Sequence, residues 1–259
     1  MAIASRVFGL LMLFAAAVFA SAAQGQGAAV GPPGSGAMRQ LYLPPSGQAG
    51  AGVVVLHGCG GIGGGTREWA QRLADWGYAA LMIDSFGSRG YLNVCDRGRL
   101  VPPETQALDA FEGAAYLRSR TDLGIQRVGV IGFSHGGSAV LKAVMSGLTR
   151  PSDQPPFDAA VAFYPGCFPA GVPLETDTLV LIGDADDWSS PTRCAQWRDH
   201  VPANGHPVAM KIYPGALHAF DSSVSPHWYY GHYIGQDPAA RADGIVETQA
   251  FLAARLGGM

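Results

Sequence analysis

The sequence predicts an α/β domain built on an open, mostly parallel sheet with helices on both faces. Three observations predict it. Short, continuous apolar runs recur at residues 52–56 (GVVVL), 79–83, 127–133, 159–163 and 179–182, too short for helices and suited to strands buried on both sides. Helix-like segments alternate with them, as the crossovers of a parallel sheet require. Glycine-rich loops follow several of the runs, at the strand ends where such sheets collect their functional groups.

In chain order, residues 1–23 combine an early Arg6, an apolar run and the small residues Ala20, Ser21, Ala22 and Ala23. That is the layout of a secretory signal cleaved after Ala22 or Ala23, and the run is short for a bilayer span. Residues 24–37, rich in Gly, Ala and Pro, read as a disordered lead-in. The domain proper is 38–259, with an edge strand at 38–43 before the first buried run. Thr66 suits the N-cap of a helix reaching residue 76. Residues 103–118 carry apolar positions Ala107, Leu108, Phe111, Ala115 and Leu117 at helical spacing and lead to the strand at 127–133. A helix starts near His135, strands follow at 159–163, 179–182 and 208–213, and 191–201 is helical between the last two. Asp237 and Pro238 form a cap and first helical position for a closing helix to residue 256.

The chemistry gathers around RVGVIGFSHGG at 127–137. A serine on a sharp strand-to-helix turn needs small neighbours, and among the serines of a chain with 36 glycines only Ser134 has glycine at both flanking offsets, Gly132 and Gly136. A serine nucleophile needs a base and an acid that orients it, here supplied by loops after later strands in the order serine, acid, histidine. GDADDWSSP offers Asp184, Asp186 and Asp187; YPGALHAFD offers His218. The oxyanion of the intermediate needs backbone donors, for which the N–H of His135 and one in HGCGG, that of Cys59, are the candidates. HGCGGIGGG lacks the Gly-Lys-Ser/Thr ending of a phosphate loop.

These motifs, HGCGG, DSFGSRG, GFSHGG, GDADDW and YPGALHAFD in this order and spacing, resemble the dienelactone hydrolase family of the α/β-hydrolase superfamily over about residues 41–256. The resemblance implies an α/β-hydrolase fold, with Ser134 as nucleophile, His218 as base, Asp186 as acid with Asp187 in reserve, and Cys59 and His135 as oxyanion donors. It also departs from the family pattern. Dienelactone-cleaving members carry a cysteine where this chain has Ser134, and an arginine four residues after the histidine where this chain has Ser222; Arg89 loosely matches a second carboxylate-binding arginine. Trp188 and the aromatic run 226–235 (PHWYYGHYIG) are further substrate-contact candidates, although such a run more often packs a long loop against its domain.

The expectation is an exported, periplasmic or secreted serine hydrolase of esters, lactones or thioesters. Its partner is a small-molecule substrate, with no cofactor and no metal, since no cysteine lies in a Cys-x-x-Cys. Export permits disulfides; Cys59, Cys95, Cys167 and Cys194 allow three pairings, of which Cys59 with Cys95 and Cys167 with Cys194 each join neighbouring loops. A net charge of −3 with only two lysines, Lys142 and Lys211, argues against a nucleic-acid partner, and no stable membrane insertion is expected after cleavage. The competing readings are an oligopeptidase-like amidase, which usually brings a large extra N-terminal domain, and a non-catalytic binding scaffold, which commonly lacks a member of the triad.

Overall fold

The computed structural model describes Met1 and residues 28–30, 38–168 and 171–257; the predicted signal segment lies outside the described residues apart from Met1. In chain order the elements are β1 (Ala28–Val30), β2 (Met38–Tyr42), β3 (Ala51–Leu56), α1 (Gly64–Asp75), β4 (Ala79–Asp84), α2 (Pro103–Ser119), β5 (Arg127–Phe133) and α3 (His135–Val144). They continue with β6 (Ala159–Phe163), β7 (Thr178–Gly183), α4 (Pro191–His200), β8 (Val208–Tyr213), β9 (His227–Tyr229), β10 (His232–Ile234) and α5 (Pro238–Leu256). Eight strands form one sheet in the order β1-β2-β4-β3-β5-β6-β7-β8. The six from β4 to β8 run parallel, and β1 and β2 are antiparallel additions at one edge.

The apolar runs become the central strands because both faces of the sheet are covered. Val53, Val55, Met82 and Phe163 pack beneath α1 and α5 with Trp69, Leu73, Phe251 and Leu252. The alternate residues, Val54, Leu56, Val130 and Ala162, pack beneath α2 and α3 with Phe111, Leu141 and Val144. Right-handed crossovers enforce this split: the chain steps from β3 outward to β4, then returns past β3 to β5 and continues to β8, so the first helix falls on one face and α2 and α3 on the other. The reversal occurs between β3 and β5, and the crevice beyond their carboxyl ends is where such sheets bind ligands.

One expectation needs correction. Thr66 is not the N-cap of α1: the helix starts at Gly64, Gly63 is the cap in an extended conformation, and Thr66 is buried within the first turn. Glycine is tolerated at that position, so no capping hydroxyl was needed to start the helix. Within the segment read as a lead-in, Ala28–Val30 pairs with β2 along its outer edge, where backbone groups would otherwise be unpaired. The closing helix follows the sequence closely. The Asp237 carboxylate accepts from the N–H groups of Ala239 and Ala240, and Pro238 opens the first turn.

Candidate active site

The turn between β5 and α3 holds Ser134 at φ 52° and ψ −112°, a conformation that costs energy for any residue with a side chain. What permits it is the absence of side chains around it. A Cβ on Gly132 would lie 2.2 Å from the carbonyl oxygen of Gly136, and one on Gly136 would lie 2.5 Å from that of Leu56, at the end of β3. The glycine pattern read in the sequence is therefore a packing requirement. The Ser134 N–H is taken up by the carbonyl of Phe163 on β6, so the elbow is fixed to the sheet on both sides.

From this turn the hydroxyl of Ser134 lies 2.9 Å from Nε2 of His218, and Nδ1 of His218 lies 2.8 Å from Asp186 Oδ2. His218 and Asp186 are both buried. Asp186 Oδ1 accepts from the backbone N–H groups of Trp188 (2.9 Å) and Ser189 (2.7 Å), so each carboxylate oxygen is engaged and the ring faces a fixed acceptor. The network assigns the His218 proton to Nδ1, leaving Nε2 free to accept from the serine. An imidazole held in that tautomer beside a hydroxyl can take its proton as the oxygen attacks. Asp187 sits elsewhere: its carboxylate meets the N–H of Tyr233 at 3.3 Å and Nδ1 of His232 at 3.3 Å. Asp184 accepts from the N–H of Gly215 and closes the acid loop on the base loop.

On the other side of Ser134 lies the loop after β3. A Cβ on Gly58 would come within 3.5 Å of Ser134 Cβ, so the loop passes directly against Ser134. His57 anchors it in a way the sequence did not reveal, since it precedes Ser134 in the chain. It is fully buried, its Nε2 accepts from the Ser85 N–H (3.2 Å), and its Nδ1 donates to the Gly58 carbonyl (2.8 Å). Burial holds its pKa below the ordinary 6.5, keeping the ring neutral as both bonds require. Gln106 of α2 donates to the His57 carbonyl at 3.0 Å. The cysteines pair as Cys59 with Cys95 and Cys167 with Cys194. As the first residue of α3, His135 has an N–H without an intrahelical acceptor; its ring is tied by Nε2 to the Val101 carbonyl at 2.8 Å.

A cavity of about 190 Å³ opens over Ser134, lined by Gly58, Cys59, Phe133, Tyr164, Trp188 and Tyr229 among others. Trp188 is thus at the site, its ring 5.2 Å from that of His218 and stacked on His232 at 4.5 Å. The aromatic run is the β9–β10 hairpin, and its two faces differ. Tyr229 and Ile234 line the cavity, whereas Trp228 and Tyr233, paired across the hairpin with rings 5.4 Å apart, are exposed. Arg89 is not brought to the cavity. Both its terminal nitrogens bond Asp109 at 2.8 Å and one also reaches the Ser85 carbonyl, so the guanidinium braces the loop after β4 against α2 and is not presented to a substrate carboxylate.

One group at the cavity escaped the sequence reading. Asp221 is buried, and its carboxylate accepts from Trp69 Nε1 (2.7 Å) and the Tyr164 hydroxyl (2.6 Å). Burial raises its pKa, against the pull of those two donors, and burial with the Asp221 charge raises that of Tyr164. The Tyr164 ring lies 4.6 Å from that of His218, and its backbone is held at φ 36°. The signal available in the sequence was an aspartate three residues after the histidine, which has no partner in sight until the fold brings Trp69 and Tyr164 to it. Among the described residues no cluster of side chains could hold a metal ion.

A model of the dienelactone hydrolase family matches residues 38–256. The chain belongs to the dienelactone hydrolase family. It is accordingly a carboxylic ester hydrolase with the α/β-hydrolase fold. Solved structures agree on that fold. A provisionally assigned dienelactone hydrolase from Klebsiella pneumoniae is 18% identical, with 87% of this chain and 97% of that one covered at a TM-score of 0.67. A dienelactone hydrolase-like promiscuous phosphotriesterase from metagenomic libraries is 21% identical, with 85% and 92% covered and a TM-score of 0.68. The propionate-bound esterase Est2 of Thermogutta terrifontis is 15% identical, with 91% and 95% covered and a TM-score of 0.63. No curated protein sequence matches the chain.

Proposed function

We propose that the protein is an exported serine esterase that transfers short, uncharged acyl groups to water through an acyl-enzyme. Ser134 Oγ attacks the ester carbonyl while His218 Nε2 takes its proton, Asp186 steadies the resulting imidazolium, and His218 returns the proton to the departing alcohol. Water then attacks the acyl-enzyme by the same route. The N–H groups of His135 and Cys59 stabilise the oxyanion in both halves. The observation that carries this reading is the continuous hydrogen-bond chain from Ser134 through His218 to Asp186 at 2.9 and 2.8 Å.

The acyl preference rests on the cavity. Among the described residues its lining holds no lysine or arginine, Ser222 stands there in place of a cation, and the one carboxylate is that of Asp221. A carboxylate-bearing acyl group, as in a dienelactone, would meet no counter-charge. The T. terrifontis esterase with propionate bound offers a short-acyl parallel. Export is supported by the leader in the sequence and by two disulfides, which persist in oxidising compartments; intact-mass measurement of periplasmic protein should give a chain beginning at Ala23 or Gln24.

Ser134→Ala should lower turnover of p-nitrophenyl acetate and butyrate by about 10⁴-fold or more while leaving the fold intact. A fluorophosphonate probe should label the wild type and not the variant. Undiminished hydrolysis by folded Ser134→Ala would sink the proposal.

A further inference from the structure

The loop that carries the Cys59 N–H is poor in internal support. Of the seven residues between β3 and α1, four are glycine, and a glycine-rich loop loses more conformational freedom on ordering than any other kind. Its first residues are held by the buried His57 and by the Gly58 approach to Ser134. From Cys59 to Gly63 the ties are different. Among the described residues, apart from the bond of Gly63 into α1 and a turn bond from the Gly61 N–H to the Gly58 carbonyl at 3.1 Å, the hydrogen bonds and covalent links out of this loop run to two adjacent residues: the Val94 N–H donates to the Cys59 carbonyl at 2.8 Å, and Cys95 is bonded to Cys59. Gly61, at φ 77°, also passes so close to the Leu92 carbonyl that a Cβ would lie 2.5 Å from it. The 92–95 segment is in turn seated by a small separate core of Phe86, Val94 and Val101, against which Cys59 itself packs.

We propose that Cys95 is a positioning residue for the oxyanion site: through its disulfide it holds the Cys59 N–H against the nucleophile, and turnover depends on that bridge being oxidised. The inference rests on the role given above to the Cys59 N–H. It also has a chemical consequence. Cys59 and Cys95 are both partly exposed, as is Cys167 of the second bridge, whose partner Cys194 is fully buried, and thiol exchange requires access to a sulfur. A small dithiol should therefore be able to reduce Cys59–Cys95 in the folded protein. Its thiolates attack in turn, the S–S bond takes up two electrons and two protons to leave two cysteine thiols, and the dithiol departs as a cyclic disulfide.

The second bridge provides a matched control. The two disulfides span sequence separations of 36 and 27, so the constraint each places on the unfolded chain is similar. The experiment compares Cys95→Ser with Cys167→Ser/Cys194→Ser in the full mature chain, reading kcat and KM for p-nitrophenyl butyrate and the melting temperature. The expected result is that both lower the melting temperature by similar amounts. Cys95→Ser alone should lower kcat, by up to about 10²- to 10³-fold with KM within about threefold, as loss or misplacement of one oxyanion donor does. If Cys95→Ser does not fold, wild type is treated with dithiothreitol under native conditions, and kcat should fall in step with the Cys59 and Cys95 thiols counted by alkylation and return on reoxidation. An unchanged kcat in folded Cys95→Ser or in the reduced wild type, or equal losses from both bridges, overturns the inference. Ser134→Ala separates the two levels. If it is inactive while Cys95→Ser is fully active, the esterase reading stands and this inference fails; if it remains active, the parent reading fails.

Discussion

At the scale of the residue, adjacent carboxylates have been given different work by their surroundings. Asp186 has both oxygens committed to the imidazole and to two backbone N–H groups, whereas Asp187 faces His232 and the hairpin. Asp186→Asn should therefore lower kcat by about 10³- to 10⁴-fold through loss of the correct tautomer, with Asp187→Asn within a few-fold of wild type, in steady-state ester hydrolysis. Spacing alone could not separate them, since both lie in the same loop after β7. Asp221 poses a different question. Burial raises its pKa above the ordinary 3.8, so the folded state holds the proton more tightly than the unfolded chain does. The associated stability is present below about pH 3.8 and is lost as pH rises through the folded pKa. An amide carries no such cost. The melting temperature of Asp221→Asn relative to wild type should thus be higher at pH 8 than at pH 4, and a pH-independent difference would contradict a buried ionised carboxylate.

At the scale of the element, legibility followed how locally each piece is determined. The central strands and α5 could be read because a two-sided apolar run, or a cap followed by proline, is complete within a few residues. The hairpin could not: β9 and β10 are three residues each, and their aromatics do not say which side is covered until His218 and Ile234 come together. Once paired, alternation assigns the faces, with Tyr229 towards the cavity and Trp228 and Tyr233 away from it. Trp228→Ala should accordingly leave kcat/KM for p-nitrophenyl butyrate within about twofold, as a surface change does. Tyr229→Ala, which removes a cavity wall, should lower it by about tenfold, chiefly through KM. Equal effects from the two would mean that the hairpin faces the substrate in some other way.

At the scale of the whole molecule, the site is held by groups that are far apart in sequence and meet only across the sheet. Ser134, Asp186 and His218 were readable because each lies just past a strand in a parallel sheet. His57 and Asp221 were not, because their partners Ser85, Trp69 and Tyr164 come from other crossovers. The same burial that hides His57 also couples the fold to pH. His57 and His135 both have pKa values lowered from 6.5, in each case first by burial, so the unfolded chain takes up protons below about pH 6.5 that the folded state refuses. Stability then rises with pH through this window and is lost as pH falls below 6.5, by at most about 1.4 kcal/mol per pH unit for each imidazole that stays neutral. The ion-paired carboxylates Asp122, Glu175 and Asp243 have lowered pKa values and respond from the ordinary carboxylate range downward, whereas Asp221, with its raised pKa, works in the opposite sense, so between pH 6.5 and 5 the part played by His57 is read by comparison with a His57 variant. Thermal melts across that interval should show wild type losing stability relative to a His57 variant as the medium becomes more acid. His57→Asn, which can still donate to the Gly58 carbonyl but cannot titrate, should start from a lower melting temperature and lose less of it; parallel curves for the two proteins would remove His57 as a source of the acid sensitivity.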